Sequence, residues 1–410
     1  MVPAARVRLG AARLREPRVL HAGATPSGGW YTVRLSFTAP ACGTGTRDAD
    51  GAPTAHRAGQ RAGAGTIVVM DDATTRPDTT DPVDRVIAAQ SPADRAGHLL
   101  VLDAPHLVDE ALAHATRVSV WCDDIRDREL VPPELLADSL DAATLAGVDL
   151  AWLRMPHSLG ALDEYAELLA AHADPGLFLI AGGRDKHLSR SMNDTLARHF
   201  TTVRASLGQQ KSRALMAFGP VPAPVTWPRS RHIDRLTEGL DVWWHGATFA
   251  SGRLDDATGL LVRHLDRVAD ADTYLDLGSG SGILATLLAR LHPDAAVHAV
   301  DAGWAAADAT RLTSAGTGVR TTWASDLSFL APGSVDVVVC NPPFHRGTAK
   351  DSDPAIGMFA DAARVLGPGG EFWCVFNSHL PWKAHLSRLI GSTRLVAQDR
   401  HYTVTRSVRR

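Results

Sequence analysis

The sequence predicts an α/β architecture built twice in tandem, the first copy degenerate. Three observations carry this. From about residue 83, helix-like and strand-like segments alternate. A stiff proline-rich stretch, Gly219-Pro220-Val221-Pro222-Ala223-Pro224, interrupts the alternation, which then begins again. Each half also closes on two strand-like segments that read as a hairpin: Thr202 to Ala205 with Arg213 to Met216, and Arg394 to Ala397 with Tyr402 to Thr405.

In the first half, Pro82 to Gln90, Leu107 to Ala115 and Met192 to Phe200 read as helices, and Leu159 to Ala171 as a clear amphipathic one. His98 to Leu102, Arg117 to Trp121 and Leu177 to Ile180 read as strands. The expected organisation is a disordered extension over 1–80, a degenerate domain over 81–218, a linker over 219–230 and a catalytic domain over 231–410. The extension has weak periodicity and is rich in Ala, Gly, Arg, Thr and Pro; Met70 offers a later start.

The 410 residues suffice for two cores. With 45% apolar and 21% charged residues, the composition is that of a globular protein. No apolar run approaches a membrane-spanning length, and no secretory signal is visible. Cys42, Cys122, Cys340 and Cys374 are far apart and form no CxxC, so they read as reduced thiols of a cytoplasmic protein. The histidines show no HExxH and no ligand-spaced cluster, so no metal site is expected. The net charge of -3 does not advertise a nucleic-acid partner. Such binding would fall to local clusters: Arg394, Arg400, Arg406, Arg409 and Arg410, or Arg184, Lys186, Arg190, Lys211 and Arg213.

The chemistry concentrates in the second half. Tyr274 to Leu277 reads as a strand, Gly278-Ser279-Gly280-Ser281-Gly282 as a tight turn, and Ile283 to Leu291 as a helix. Asp276 stands one residue before the strand's end. Asp301 ends the next strand, Ala296 to Val300, where an acid can grip ribose hydroxyls. Asp326 follows the strand-like Val319 to Ala324. Acids at successive strand ends without a P-loop lysine favour a positively charged nucleoside over a phosphate ligand. Taken alone, Gly280-x-Gly282-x-x-Ala285 would also pass as a dinucleotide fingerprint. The order that follows decides otherwise. The fourth strand, Val337 to Cys340, stops at Asn341-Pro342-Pro343-Phe344, and two prolines cannot continue a sheet ladder. Asn341 and the neighbouring carbonyls are thereby set as acceptors for a planar exocyclic amine, with Phe344 positioned to stack on its ring.

At these residues the chain resembles class I S-adenosylmethionine-dependent methyltransferases acting on amino nitrogens. More narrowly, it resembles the ribosomal RNA guanine-N2 methyltransferases of the large-subunit methyltransferase G and small-subunit methyltransferase C family. The resemblance rests on Gly246-Ala247-Thr248-Phe249 with Leu254-Asp255, Asp276 to Gly282, Asn341 to His345, Met358 to Phe372 and Asn377 to Trp382. In the first half it rests on Met155 to Leu159 and Ile180 to Gly183. It covers residues 83–410 and is strongest over 241–410. It departs at Ser279, where Cys is common, and at Ser378, where Arg is usual.

The resemblance implies two tandem Rossmann-like methyltransferase folds, each a mostly parallel sheet with a C-terminal antiparallel hairpin, seven-stranded in the complete copy. It implies S-adenosyl-L-methionine as cofactor, held by Asp276, Gly278, Gly280, Gly282, Asp301, Asp326, Asn341 and Phe249, with the Gly246 to Phe249 loop as its cover. Without that role, Trp243, Trp244 and Phe249 would be the packing face of a helix. It implies catalysis by Asn341, Pro342, Pro343 and Phe344 on a guanine N2 of ribosomal RNA or a ribosomal subunit, by a monomer. His345 is read as a shielding or anchoring residue, not as the base. The first half ends its early strand in Leu102-Asp103-Ala104-Pro105, without a glycine turn, and is expected to bind no cofactor. Three alternatives stay open: protein glutamine methylation, DNA adenine methylation, and a non-catalytic RNA-binding assembly factor.

Overall fold

The structure, a computed structural model, describes residues 81–235, 239–343 and 353–410, together with three strands nearer the N-terminus. The strand Val335–Cys340 is buried along its length apart from Asp336, the signature of a strand covered on both faces. It lies at the centre of a seven-stranded sheet. From one edge to the other the strands are Arg320–Trp323, Ala296–Asp301, Thr273–Leu277, Val335–Cys340, Leu366–Asn377, Tyr402–Arg409 and Gly391–Gln398. The first five are parallel, and the last two pair antiparallel as the closing hairpin. Alternation along each strand divides the core. Tyr274, Val337 and Val339 pack with helices Asp256–Val262 and Ile283–Leu291 on one face. Leu275, Val338 and Cys340 pack with helices Asp353–Val365 and Trp382–Leu389 on the other. Cys340 sits there as a small hydrophobe beside its cross-strand neighbour Cys374, and burial holds its thiol well above the usual range.

The first half repeats this plan. Its six strands run Ala115–Trp121, Ala96–Leu102, Leu150–Arg154, Phe178–Arg184, Ser212–Pro220 and Phe200–Ala205. The connectivity is that of the second sheet without its parallel edge strand. Helices Pro82–Ala89 and Val108–His114 cover one face, Leu159–His172 and Arg190–Leu196 the other. Strand Leu150–Arg154 has no counterpart in the sequence reading, because Leu150 to Leu153 are apolar without alternation. The proline-rich segment is also shorter than expected. Pro220 still pairs with Phe200, and Arg229–His232 already forms a hairpin with Asp241–Trp244. Trp243 and Trp244 thus lie on a strand, not on a helix.

Within the first 80 residues, Arg18–Ala24, Tyr31–Phe37 and Gly63–Val68 form a three-stranded antiparallel sheet with Tyr31–Phe37 in the middle. These segments depart from the disordered extension expected there; the rest of the stretch lies outside the described residues. Among the described residues no helix is long and apolar enough to cross a membrane.

The two halves of the Pro77–Arg410 unit meet backbone to backbone. Ser158, the N-cap of helix Leu159–His172, donates its hydroxyl to the Gly246 carbonyl at 2.7 Å. The Glu164 carboxylate accepts from the Gly246 N–H at 2.6 Å and from His245 Nδ1 at 2.6 Å. His245 Nε2 reaches Asp308 at 3.0 Å, on helix Trp304–Thr313. His245 is only 3% exposed. Burial disfavours its charged form, but hydrogen bonds and charge from Asp308 and Glu164 outweigh that and lift it to about 9. Asp123 completes the seam. Its carbonyl accepts from Trp304 N–H at 2.8 Å and its carboxylate from Ala305 N–H at 2.8 Å.

The seam makes two predictions. A Cβ on Gly246 would lie 2.1 Å from the Gly160 carbonyl oxygen, so Gly246→Ala must part the two halves. Overpacking of this kind costs about 1–3 kcal/mol. Thermal unfolding should show a melting point several degrees lower, and an unchanged midpoint would mean the backbones are not in contact.

The second concerns pH. A histidine that titrates near 6.5 when unfolded and near 9 when folded stabilises fully below 6.5 and loses that contribution as pH rises through 9. The difference is on the order of 3 kcal/mol. Melting temperatures should therefore fall between those limits, and His245→Gln should flatten the slope. Parallel curves for the two proteins would remove the buried imidazolium from the account.

Candidate active site

Sheet register assembles the site. Leu277 is level with Val300 on one neighbouring strand and with Cys340 on the other, and Asp301 is level with Trp323. The glycine turn, Asp301 and Asn341 therefore all emerge at one edge, the carboxyl ends of adjacent parallel strands.

Gly278 begins the turn. Gly280 has φ +58°, and a Cβ there would meet nothing within 4 Å, so open space lies in front of the turn. Gly282 has φ +75°, and its Cβ would stand 2.8 Å from Thr310 Cα; only glycine lets helix Trp304–Thr313 approach so closely. Beneath the turn, Asp276 is fully buried. One of its oxygens accepts from Ala285 N–H at 3.0 Å, satisfying a donor in the first turn of helix Ile283–Leu291. The other is buried without a partner among the described residues. Burial, with a smaller push from Asp301, raises its carboxyl to about 7.

Asp301 bridges the turn to its own loop, accepting from Gly280 N–H and Gly303 N–H, each at 3.0 Å. Burial raises its pKa against these bonds. A carboxylate holds about four lone-pair sites, so acceptor capacity remains for sugar hydroxyls. Asp326 is exposed, and its carboxylate accepts from Ser328 N–H at 2.8 Å, in its own loop and not in the glycine turn. Phe249 is 62% exposed, on the turn Phe249–Gly252. The preceding Thr248 donates to the Ala305 carbonyl at 3.0 Å, which ties this loop to the helix that follows Asp301.

Asn341 has the most telling surroundings. Its Nδ2 donates to Thr258 Oγ1 at 2.9 Å. Thr258 lies in the first turn of helix Asp256–Val262, whose N-cap Asp255 accepts from the Ala257 and Thr258 N–H groups. The amide is thus fixed through its nitrogen, and its oxygen is buried with no partner among the described residues. A buried acceptor left open is costly unless a donor arrives. Pro342 is buried and Pro343 exposed; Phe344 and His345 lie outside the described residues. Thr258 was not singled out from the sequence. Asp255 was noted, but nothing in the linear pattern joins that helix to a strand end 83 positions later.

The open space at Gly280 and the orphaned oxygens of Asp276 and Asn341 fit a ligand pair that brings amine donors to an acidic strand edge. S-adenosylmethionine with an amino-nitrogen acceptor is such a pair.

Known proteins match both halves of the chain. The Methyltransferase small domain family matches residues 239–406, and the RLMG N-terminal domain family matches residues 128–220. A ribosomal RNA large subunit methyltransferase G of Streptomyces avermitilis is 35% identical over 272 residues, covering 64% of this chain and 72% of the relative. The Streptomyces coelicolor protein of the same name is 32% identical over 333 residues, covering 77% and 86%. Among solved structures, a T. thermophilus 16S rRNA N2 methyltransferase in complex with AdoMet and guanosine shares the fold. Its TM-score is 0.69 at 20% identity, over 84% of this chain and 96% of that one. The shared tandem fold, the S-adenosylmethionine-dependent site and relatives spanning both halves place the chain in the ribosomal RNA large subunit methyltransferase G family.

Proposed function

We propose that this enzyme methylates the exocyclic N2 of a guanine in large-subunit ribosomal RNA, using S-adenosylmethionine. The observation that carries the reading is the unpartnered Asn341 oxygen, on an amide held by Thr258 at the strand edge it shares with the glycine turn.

Bound S-adenosylmethionine supplies a methyl group already activated on a sulfonium, released as that S–CH3 bond breaks and an N–CH3 bond forms. The chain's part is position. Guanine N2 is a weak nucleophile because its lone pair is delocalised into the ring. Asn341 Oδ1 and the Pro342 carbonyl accept from its two N–H groups and favour pyramidal nitrogen, with the lone pair aimed at the cofactor side. Asp301, beside Gly280, is assigned the ribose hydroxyls, and Asp276 and Asp326 the remaining donors. Phe344 stacks on the base, Pro343 stiffens the approach, and Phe249 covers the cofactor. The methylated nitrogen is strongly acidic and loses its extra proton to water, so no side-chain base is required. A paired guanine has to be flipped out first.

Asn341→Ala should lower the single-turnover rate on unmethylated ribosomal RNA by on the order of 10²–10³, with cofactor affinity little changed. Asn341→Asp should keep part of the activity, and Thr258→Val should fall between it and wild type. A wild-type rate for Asn341→Ala would refute the assignment.

Asp301→Ala should weaken S-adenosylmethionine binding by about 1.5–3 kcal/mol, the range for a hydrogen bond to a charged group. Calorimetric titration of a folded variant measures this, and unchanged affinity would take Asp301 out of the cofactor site.

A further inference from the structure

We propose that a groove of arginines and tryptophans at the junction of the two halves seats the single-stranded RNA flanking the target guanine. The inference rests on the ribosomal RNA reading above and assigns that substrate a path. The groove has a volume of about 350 Å³ and is lined by Arg198, Trp227, Arg229, Arg231, Trp244 and Arg253.

Its charge is unbalanced. Four guanidinium groups face one carboxylate, Asp163, whose side chain is 7% exposed. That carboxylate is already shared by Arg198 at 3.5 Å, Arg229 at 3.1 Å and His199 at 2.9 Å. Among the described residues, Arg231 and Arg253 have no carboxylate within ion-pair distance. In a chain of net charge -3, this is a local basic concentration of the kind a polyanion needs.

The basic clusters singled out from the sequence are partly spent. Arg406 is paired with Glu371, Arg213 with Asp185 at 3.5 Å, and Arg184 with Asp81 at 3.6 Å.

The aromatic faces add a second feature. The Arg229 guanidinium lies 3.9 Å from the Trp227 ring centre, and that of Arg231 lies 5.4 Å from Trp244. Alternating cations and π-faces is how single strands are held without base-specific contacts. Position supplies the third. Trp244 leads directly into the loop from Gly246 to Phe249, and Arg253 follows that loop, which Thr248 anchors beside the Asp301 segment. Ser251, on the same turn as the exposed Phe249, also lines the groove.

The test uses the full chain. Arg231→Glu, Arg253→Glu and the double variant are assayed on ribosomal RNA lacking the mark, with separate KM and kcat. S-adenosylmethionine affinity and melting temperature are measured beside them. The double variant should raise the KM for RNA at least tenfold, with cofactor affinity and stability unchanged. Its RNA binding should lose at least about 1.4 from the log–log salt slope, at roughly 0.7 per phosphate contact on a single strand. Arg231→Lys with Arg253→Lys should restore much of the binding, which separates charge from packing. A double variant with wild-type KM and salt slope overturns the groove while leaving the methyltransferase reading intact. A KM raised only on assembled subunits and not on naked RNA overturns it too, by giving the groove to a ribosomal protein. A wild-type enzyme that methylates no ribosomal RNA overturns both.

Discussion

A buried imidazolium between two carboxylates, one from each half, is the constraint on which the rest of this molecule depends. Glu164 belongs to the first half and Asp308 to the second, and His245 stands between them. Such a triad is costly to desolvate. It persists because its remaining lone pairs are also used: Glu164 takes the Gly246 N–H, and Asp308 takes Arg311. Removing one member would strand a buried charge, a loss of about 3–5 kcal/mol in comparable sites. The triad lies at the foot of the loop that leads to Phe249 and on the helix that follows Asp301. Its geometry is therefore inherited by the cofactor edge of the second sheet.

Much of the second half was legible because its chemistry is compressed into short strand–turn–helix units. The helix Ile283–Leu291 and the hairpin near the C-terminus fall where the pattern places them, and Asn341 does end the fourth strand. What escaped notice is of two kinds. Some elements are too brief or too uniform to carry a period: Arg229–His232 is polar throughout and reads as linker, and Leu150–Arg154 is apolar up to its last residue. Within the first 80 residues, Tyr31–Phe37 does alternate apolar and polar residues, but it stands alone in a sequence otherwise rich in Ala, Gly, Arg and Thr. Other features are contacts between distant segments, such as Asp123 with Ala305 across 182 positions, which no local pattern encodes. The acid at the third strand's end shows a further limit. Asp326 is placed by spacing alone, and spacing does not show that its carboxylate also accepts from Ser328 N–H in its own loop.

The duplication is clearest where it fails. At the end of its first strand the first half carries Asp103, in the left-handed region at φ +51°, in the place of a turn glycine. The Asp103 carboxylate accepts from Asp123 N–H at 2.8 Å and from the Tyr165 hydroxyl at 2.8 Å. Burial, opposed by these two bonds, raises its pKa to about 6.

The missing edge strand of the first sheet has a wider meaning. Where the second half continues from Asp301 to Arg320–Trp323, the first half leaves Trp121 through Asp123 and helix Ile125–Arg128. That segment grips the other half: Ile125 N–H donates to the Ala302 carbonyl at 2.9 Å, and Asp124 bridges to Gly303. The copy without the edge strand uses the corresponding segment as a handle on the residues beside its sibling's Asp301. Linkage then works in both directions, since a ligand that binds only the folded second half stabilises everything that fold requires. A nucleoside held entirely by the second half should thereby shield the first half from proteolysis, although it touches none of its residues.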